Sequence, residues 1–171
     1  MQSKLAAGAP FPLLAFITTS GERIQVDTVP GWRLLVVYRG KHCPLCKTYL
    51  KTLDGLGDAA KSAGVSVLVV SADPKEKADA DVAEFGWRFP VGFGLTLDQM
   101  RALGLYISEP RSPMETDRPF AEPGLFVINP ENRVQIIDIS NAPFARPDLA
   151  GILRGITIAQ SKGYPIRGTA I

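Results

Sequence analysis

The chain has 171 residues, 46% of them hydrophobic and 21% charged, and a net charge of +2, which fits one globular domain over 1–171. Its 19 basic residues form no run of like charge, so neither nucleic acid nor an anionic membrane is an expected partner. No apolar run approaches the ~20 residues of a bilayer span, and Pro10 and Pro12 break the apolar stretch near the start, a poor secretory h-region; the expected location is the cytoplasm.

In chain order, residues 24–26 alternate weakly and are read as a short early strand. Residues 34–38 (LLVVY) are continuously apolar and lack a helix signal, as in a strand buried on both faces. After Gly40 the period changes. Cys46, Leu50, Leu53, Gly57 and Ala60 recur at three and four, one face of a helix that opens near Pro44 and ends at Gly64. Residues 65–71 (VSVLVVS) are a second buried, β-branched strand. Strand, helix and strand make a right-handed βαβ unit. A second helix is predicted over 75–85, and a shorter one over 96–103 with Thr96 as its cap. Residues 108–124 carry four prolines and six charges and are predicted to form no regular element; a loop of that length is often functional. Residues 125–129 and 133–138 read as an antiparallel hairpin. A last helix starts at Pro147–Asp148 and runs to about 162. The 164–171 tail has no mechanism of its own and is expected to be packed. Trp32, Trp87, Phe120 and Phe144 are expected in the core or at its rim, and the charges of 109–122 on a solvated loop.

Both cysteines and the one histidine of the chain stand together in RGKHCPLCK. Two cysteines three apart at a helix start bring their Cα atoms within disulfide range. The helix N-terminus stabilises a thiolate, the reactive form, and Arg39, Lys41 and Lys47 flank the pair. A Cys-x-x-Cys opening the helix of a βαβ unit is therefore a redox signal at Cys43 and Cys46. Two buried structural thiols are the plain alternative. Zinc lacks ligands, since His42, Cys43 and Cys46 supply three at most and two of them are adjacent; no metal or cofactor is expected. His42 is read either as a half-exposed turn residue or as a group that tunes the thiols.

Parallel βαβ followed by an antiparallel hairpin is the thioredoxin layout. Pro123 falls where thioredoxin-like folds place a cis proline facing the dithiol, so a cis bond is expected there, with backbone groups left free for a substrate chain. LAAGAPFPLL, VVYRGKHCPLCKTYL, VSVLVVSADP, FPVGFGL and GLFVINPENRV resemble, in order over about 5–162, the peroxiredoxin-like branch of the alkyl hydroperoxide reductase / thiol-specific antioxidant (AhpC/TSA) family. The resemblance implies an α/β thioredoxin-like fold, a central mixed sheet flanked by helices, with a peroxiredoxin-type N-terminal extension. In that family P-x-x-x-T-x-x-C precedes the first long helix, and its cysteine attacks peroxide. That cysteine position falls on Cys46, the threonine position on Cys43, the proline position on Arg39 and a later peroxide-binding arginine on Pro123. The thioredoxin pattern instead makes Cys43 the nucleophile and Cys46 the resolving thiol, but the buried acid of thioredoxins falls on Val37.

Two enzymatic readings follow. In one, Cys46 or Cys43 reduces a hydroperoxide, becomes sulfenic acid and closes a disulfide with its neighbour, with Arg39 or Arg118 polarising the peroxide. In the other, Cys43 attacks a substrate disulfide and Cys46 releases the product. Both need an external thiol reductant of thioredoxin or glutathione type, and family habit allows a homodimer. A third reading is a redox sensor or interaction domain that docks through 108–124 and 141–147.

Overall fold

The structure is a computed structural model and describes residues 4–170. In chain order the elements are β1 (Ala15–Thr18), β2 (Arg23–Gln25), β3 (Trp32–Val37), α1 (Pro44–Gly55), α2 (Gly57–Ser62), β4 (Val65–Val70) and α3 (Lys75–Phe85). They continue with β5 (Val91–Phe93), α4 (Leu97–Ala102), β6 (Ile107–Ser108), β7 (Phe120–Ala121), β8 (Gly124–Ile128), β9 (Val134–Ile139) and α5 (Leu149–Lys162). Seven strands form one mixed sheet in the order β2-β1-β5-β4-β3-β8-β9. β4 runs parallel to β3 and β5, whereas β8 is antiparallel to both β3 and β9, and β1 to β5. This is the expected α/β thioredoxin-like layout, with the β1–β2 hairpin as the N-terminal extension.

Residues alternate across β3 with period two. Leu34 and Val36 face a core shared with Cys46, Leu50 and Leu53 of α1, Ala78 of α3 and Leu149, Leu153 and Ile156 of α5. Leu35 and Val37 face a second core with Phe16, Met100, Leu103 and Phe120. Burial on both faces explains why β3 and β4 read as continuous apolar runs rather than alternating ones. Each fully buried Val, Leu, Ile, Phe or Met side chain among them contributes about 1.5–3 kcal/mol. Arg33, on the same strand, is also buried. Its guanidinium donates to the backbone oxygens of Val26 and Asn129 and to Asn132 Oδ1, so it ties the β2 end to the β8–β9 turn.

The structure departs from the sequence reading in several places. The long first helix is two: Gly55 and Gly57 flank Leu56, which leaves helical geometry (φ −95°, ψ 3°) and donates its N–H to Leu53 O instead. Val26 belongs to a short 3-10 turn, and the early strand is 23–25. The 108–124 segment is zipped at its ends by the β6–β7 pair. Phe144 is exposed, and the 164–170 tail is exposed save for half-buried Ile166. Pro123 is not cis, as no cis peptide occurs among the described residues. The chain passes extended from β7 into β8, where the intrinsically favoured trans form fits, and Pro123 O accepts the Ser140 N–H at 3.0 Å.

Candidate active site

The turn from β3 into α1 is held from below by the end of β4. Asp73, buried, accepts the Lys41 N–H at 2.7 Å, and the Cys43 N–H donates to Gly40 O at 3.1 Å. Gly40 has φ 132°, and a Cβ there would lie 2.7 Å from Asp73 Oδ1. We expect Gly40→Ala to cost about 2 kcal/mol or more through strain and overlap. That would lower the midpoint of thermal unfolding by roughly 4–8 °C. A melting curve within 1 °C of wild type, as an order of magnitude, would contradict this.

Cys43 is the N-cap of α1. Its backbone is extended, Pro44 follows in the first turn, and Sγ accepts the Cys46 N–H at 3.2 Å. Cys46 lies one turn in, on the apolar stripe of α1. Exposure is 1% at Cys43 and 0% at Cys46. A hydrogen bond from the Cys46 thiol, the Cys46 N–H and the adjacent Arg39 guanidinium outweigh burial and hold the Cys43 thiol down to about 6. The same thiol–thiol bond, burial and the Cys43 charge push Cys46 well above the usual thiol range. The pair is therefore polarised: Cys43 carries the charge and Cys46 keeps the proton.

Arg39 is anchored by two acids. Its Nε lies 3.0 Å from Glu122 Oε2 and its Nη2 3.9 Å from Glu115 Oε1, both carboxylates nearly buried. Ser108 Oγ donates to Glu122 Oε1 at 2.6 Å, and the guanidinium lies over the Phe120 ring. These two acids belong to the stretch expected to be solvated; two of its charges instead form the inner wall of the site. His42 meets the Phe120 ring edge-on at 4.5 Å between centroids. Burial, then the Arg39 charge, pulls His42 down to about 4, so it is neutral near pH 7 and adds no positive charge. Lys47, expected to favour the thiolate, pairs with buried Asp81 at 3.6 Å. Arg118 makes a two-pronged bond to Asp117, 3.0 and 2.9 Å, and Pro123 turns its carbonyl to Ser140 rather than to solvent.

One residue at the thiols was not singled out from sequence. Arg146 Nη2 donates to Cys46 Sγ at 3.3 Å from 100 positions away. Beside His42 opens a groove of about 770 Å³, lined also by Lys41, Lys77, Arg111, Glu115 and Thr116. No group of three or more metal-ligating side chains is gathered among the described residues, and no described helix is long and apolar enough to cross a membrane.

The AhpC/TSA family model matches residues 7–137. The chain belongs to the AhpC/TSA family. No curated protein matches it. Among solved structures, this AhpC/TSA chain is similar to a cysteine-to-serine mutant of the peroxiredoxin 6 of Arenicola marina, with TM-score 0.76 and 21% identity over 93% of this chain and 75% of that one. The peroxiredoxin-like protein from Aquifex aeolicus gives TM-score 0.76 and 18% identity, over 90% and 87%. Mycobacterium bovis AhpC gives TM-score 0.76 and 18% identity, over 98% and 99%. These likenesses fix the fold of the AhpC/TSA domain as that of the peroxiredoxins.

Proposed function

We propose that the protein is a thiol peroxidase in which Cys43 attacks a hydroperoxide and Cys46 resolves the product. Family membership supports a thiol peroxidase-like activity in general. The observation that carries the finer reading is the polarised, nearly dry pair. Cys43 Sγ sits at the helix N-cap beside Arg39, with 1% exposure, and Cys46 is fully covered. A hydroperoxide is small enough to reach a sulfur with so little exposure. The Pro123 carbonyl, one of the backbone groups expected to be free for a substrate chain, instead accepts the Ser140 N–H.

The steps balance simply. The Cys43 thiolate attacks the distal peroxide oxygen; the O–O bond breaks, and the alkoxide takes a proton and leaves as alcohol or water. Arg39, still close to its two acids, donates to the oxygens as charge moves onto them. Cys43 is now sulfenic acid. Cys46 displaces its oxygen as water and closes the disulfide, and an external dithiol returns both sulfurs to the reduced state while becoming a disulfide itself.

The test is a comparison of second-order rates for the reduced wild-type protein, by stopped flow, with hydrogen peroxide and with a protein disulfide. Oxidation by peroxide at least 100-fold faster than that of a free thiol, on the order of what a positioned thiolate and donor supply, supports the reading. Peroxide oxidation at the free-thiol rate, beside rapid reduction of the protein disulfide, overturns it in favour of exchange.

A further inference from the structure

The Cys43–Cys46 cycle must at two moments place a negative charge on Cys46 Sγ. That atom is wholly covered, so water cannot stabilise the charge, and an uncompensated buried ion is costly. Arg146 stands against it. Its Nη2 donates to Cys46 Sγ at 3.3 Å, while Nε and Nη2 donate to Pro143 O at 3.1 and 3.0 Å. The guanidinium lies over the Tyr49 ring, 4.8 Å from its centroid. Tyr49 Oη in turn donates to Pro147 O at 2.7 Å, so the segment carrying Arg146 is tied to the helix carrying Cys46. The third guanidinium nitrogen, Nη1, is buried and without a partner among the described residues. A fixed cation with one unpaired donor thus stands against the inner sulfur.

We propose that Arg146 is a catalytic residue for the two steps in which Cys46 carries charge: closing the disulfide and opening it again. The proposal rests on the dithiol cycle given above. In closing, the Cys46 thiol loses its proton, its sulfur bonds to Cys43 Sγ, and the sulfenic oxygen leaves as water with that proton. In opening, a thiolate of the external dithiol attacks Cys43 Sγ, the sulfur at the helix N-cap. The Cys43–Cys46 bond breaks and its electron pair goes to Cys46 Sγ, facing Arg146. The second thiol of the reductant then displaces Cys43 as thiolate and the reductant leaves as a disulfide; Cys46 takes up a proton. Peroxide attack moves charge from Cys43 to the departing oxygen and is served by Arg39. The two arginines thus divide the cycle, one for each sulfur.

The test uses the full chain with Arg146→Met, Arg146→Gln and Arg146→Lys. The disulfide is formed with diamide, then reduced by dithiothreitol under stopped flow. Reduction is expected to slow tenfold or more in Arg146→Met and Arg146→Gln, with Arg146→Lys recovering most of the loss. After peroxide treatment, a dimedone adduct on Cys43 is expected to accumulate in the two uncharged variants. Gln keeps donors toward Pro143 O without the charge, so it separates electrostatics from anchoring and stands in if Met folds poorly. Reduction within twofold of wild type in the uncharged variants, or Lys as slow as Gln, would overturn the proposal. Because diamide makes the disulfide, this outcome is independent of the natural oxidant; failure of the peroxidase reading shows instead as slow wild-type oxidation by hydrogen peroxide.

Discussion

Cys43→Ser is expected to abolish hydroperoxide turnover, and Cys46→Ser to leave one rapid oxidation per molecule and no turnover. The asymmetry follows from where the charge sits. The Cys43 thiol is held down to about 6 chiefly by the hydrogen bond from the Cys46 thiol, then by the Cys46 N–H and Arg39. At pH 7 such a thiol is roughly 90% ionised, against roughly 3% for a free cysteine near 8.5. Serine at 46 keeps a hydroxyl donor toward Cys43, so the thiolate and its first reaction survive, and the sulfenic acid persists for trapping. Alanine at 46 removes that donor and is expected to raise the pH midpoint of Cys43 alkylation. Stopped-flow peroxide oxidation and mass spectrometry of the products decide the matter. A first oxidation that survives Cys43→Ser and vanishes in Cys46→Ser would move the attack to Cys46, where the P-x-x-x-T-x-x-C pattern puts it.

What could be read from sequence was what local chemistry determines. The LLVVY and VSVLVV runs are β3 and β4 because both faces of a central strand are buried, and apolar content alone reveals that. The Cys-x-x-Cys at a helix start, with Pro44 in the first turn, marks the dithiol without any tertiary knowledge. β5 escaped because it is three residues long and contains Gly92, which is there because a Cβ would lie 2.3 Å from the Phe16 ring. Packing from a distant strand explains that glycine, and a single sequence does not display it. Glu115 and Glu122 looked like solvated loop charges because their partner, Arg39, lies more than seventy positions earlier. Arg146 likewise reaches Cys46 only because α5 docks beside α1. Pro123 misled through analogy: the bond expected to be cis is trans, and its carbonyl accepts the Ser140 N–H instead of facing a substrate.

Arg39→Met is expected to slow peroxide oxidation by about 100-fold or more, through two separable losses. The first is thiolate. Without the guanidinium, Cys43 loses a donor and a positive charge, so its pKa rises. The pH profile of alkylation by iodoacetamide tells this apart. Wild type should show its midpoint near pH 6, and Arg39→Met a midpoint moved upward, with the rate depressed below the new midpoint and restored above it. The second loss is electrophilic assistance, on the order of 10²-fold for one positioned donor, which raising the pH does not restore. Arg39 also balances a buried acid, and removing one partner of a buried pair costs about 3–5 kcal/mol. Arg39→Lys, which keeps the charge but not the fork-shaped donor set, is the variant to use if Met unfolds. It is expected to hold the low alkylation midpoint while losing much of the peroxide rate. Unchanged oxidation in Arg39→Lys and in a folded Arg39→Met would remove Arg39 from the chemistry and leave the helix N-terminus alone to activate Cys43.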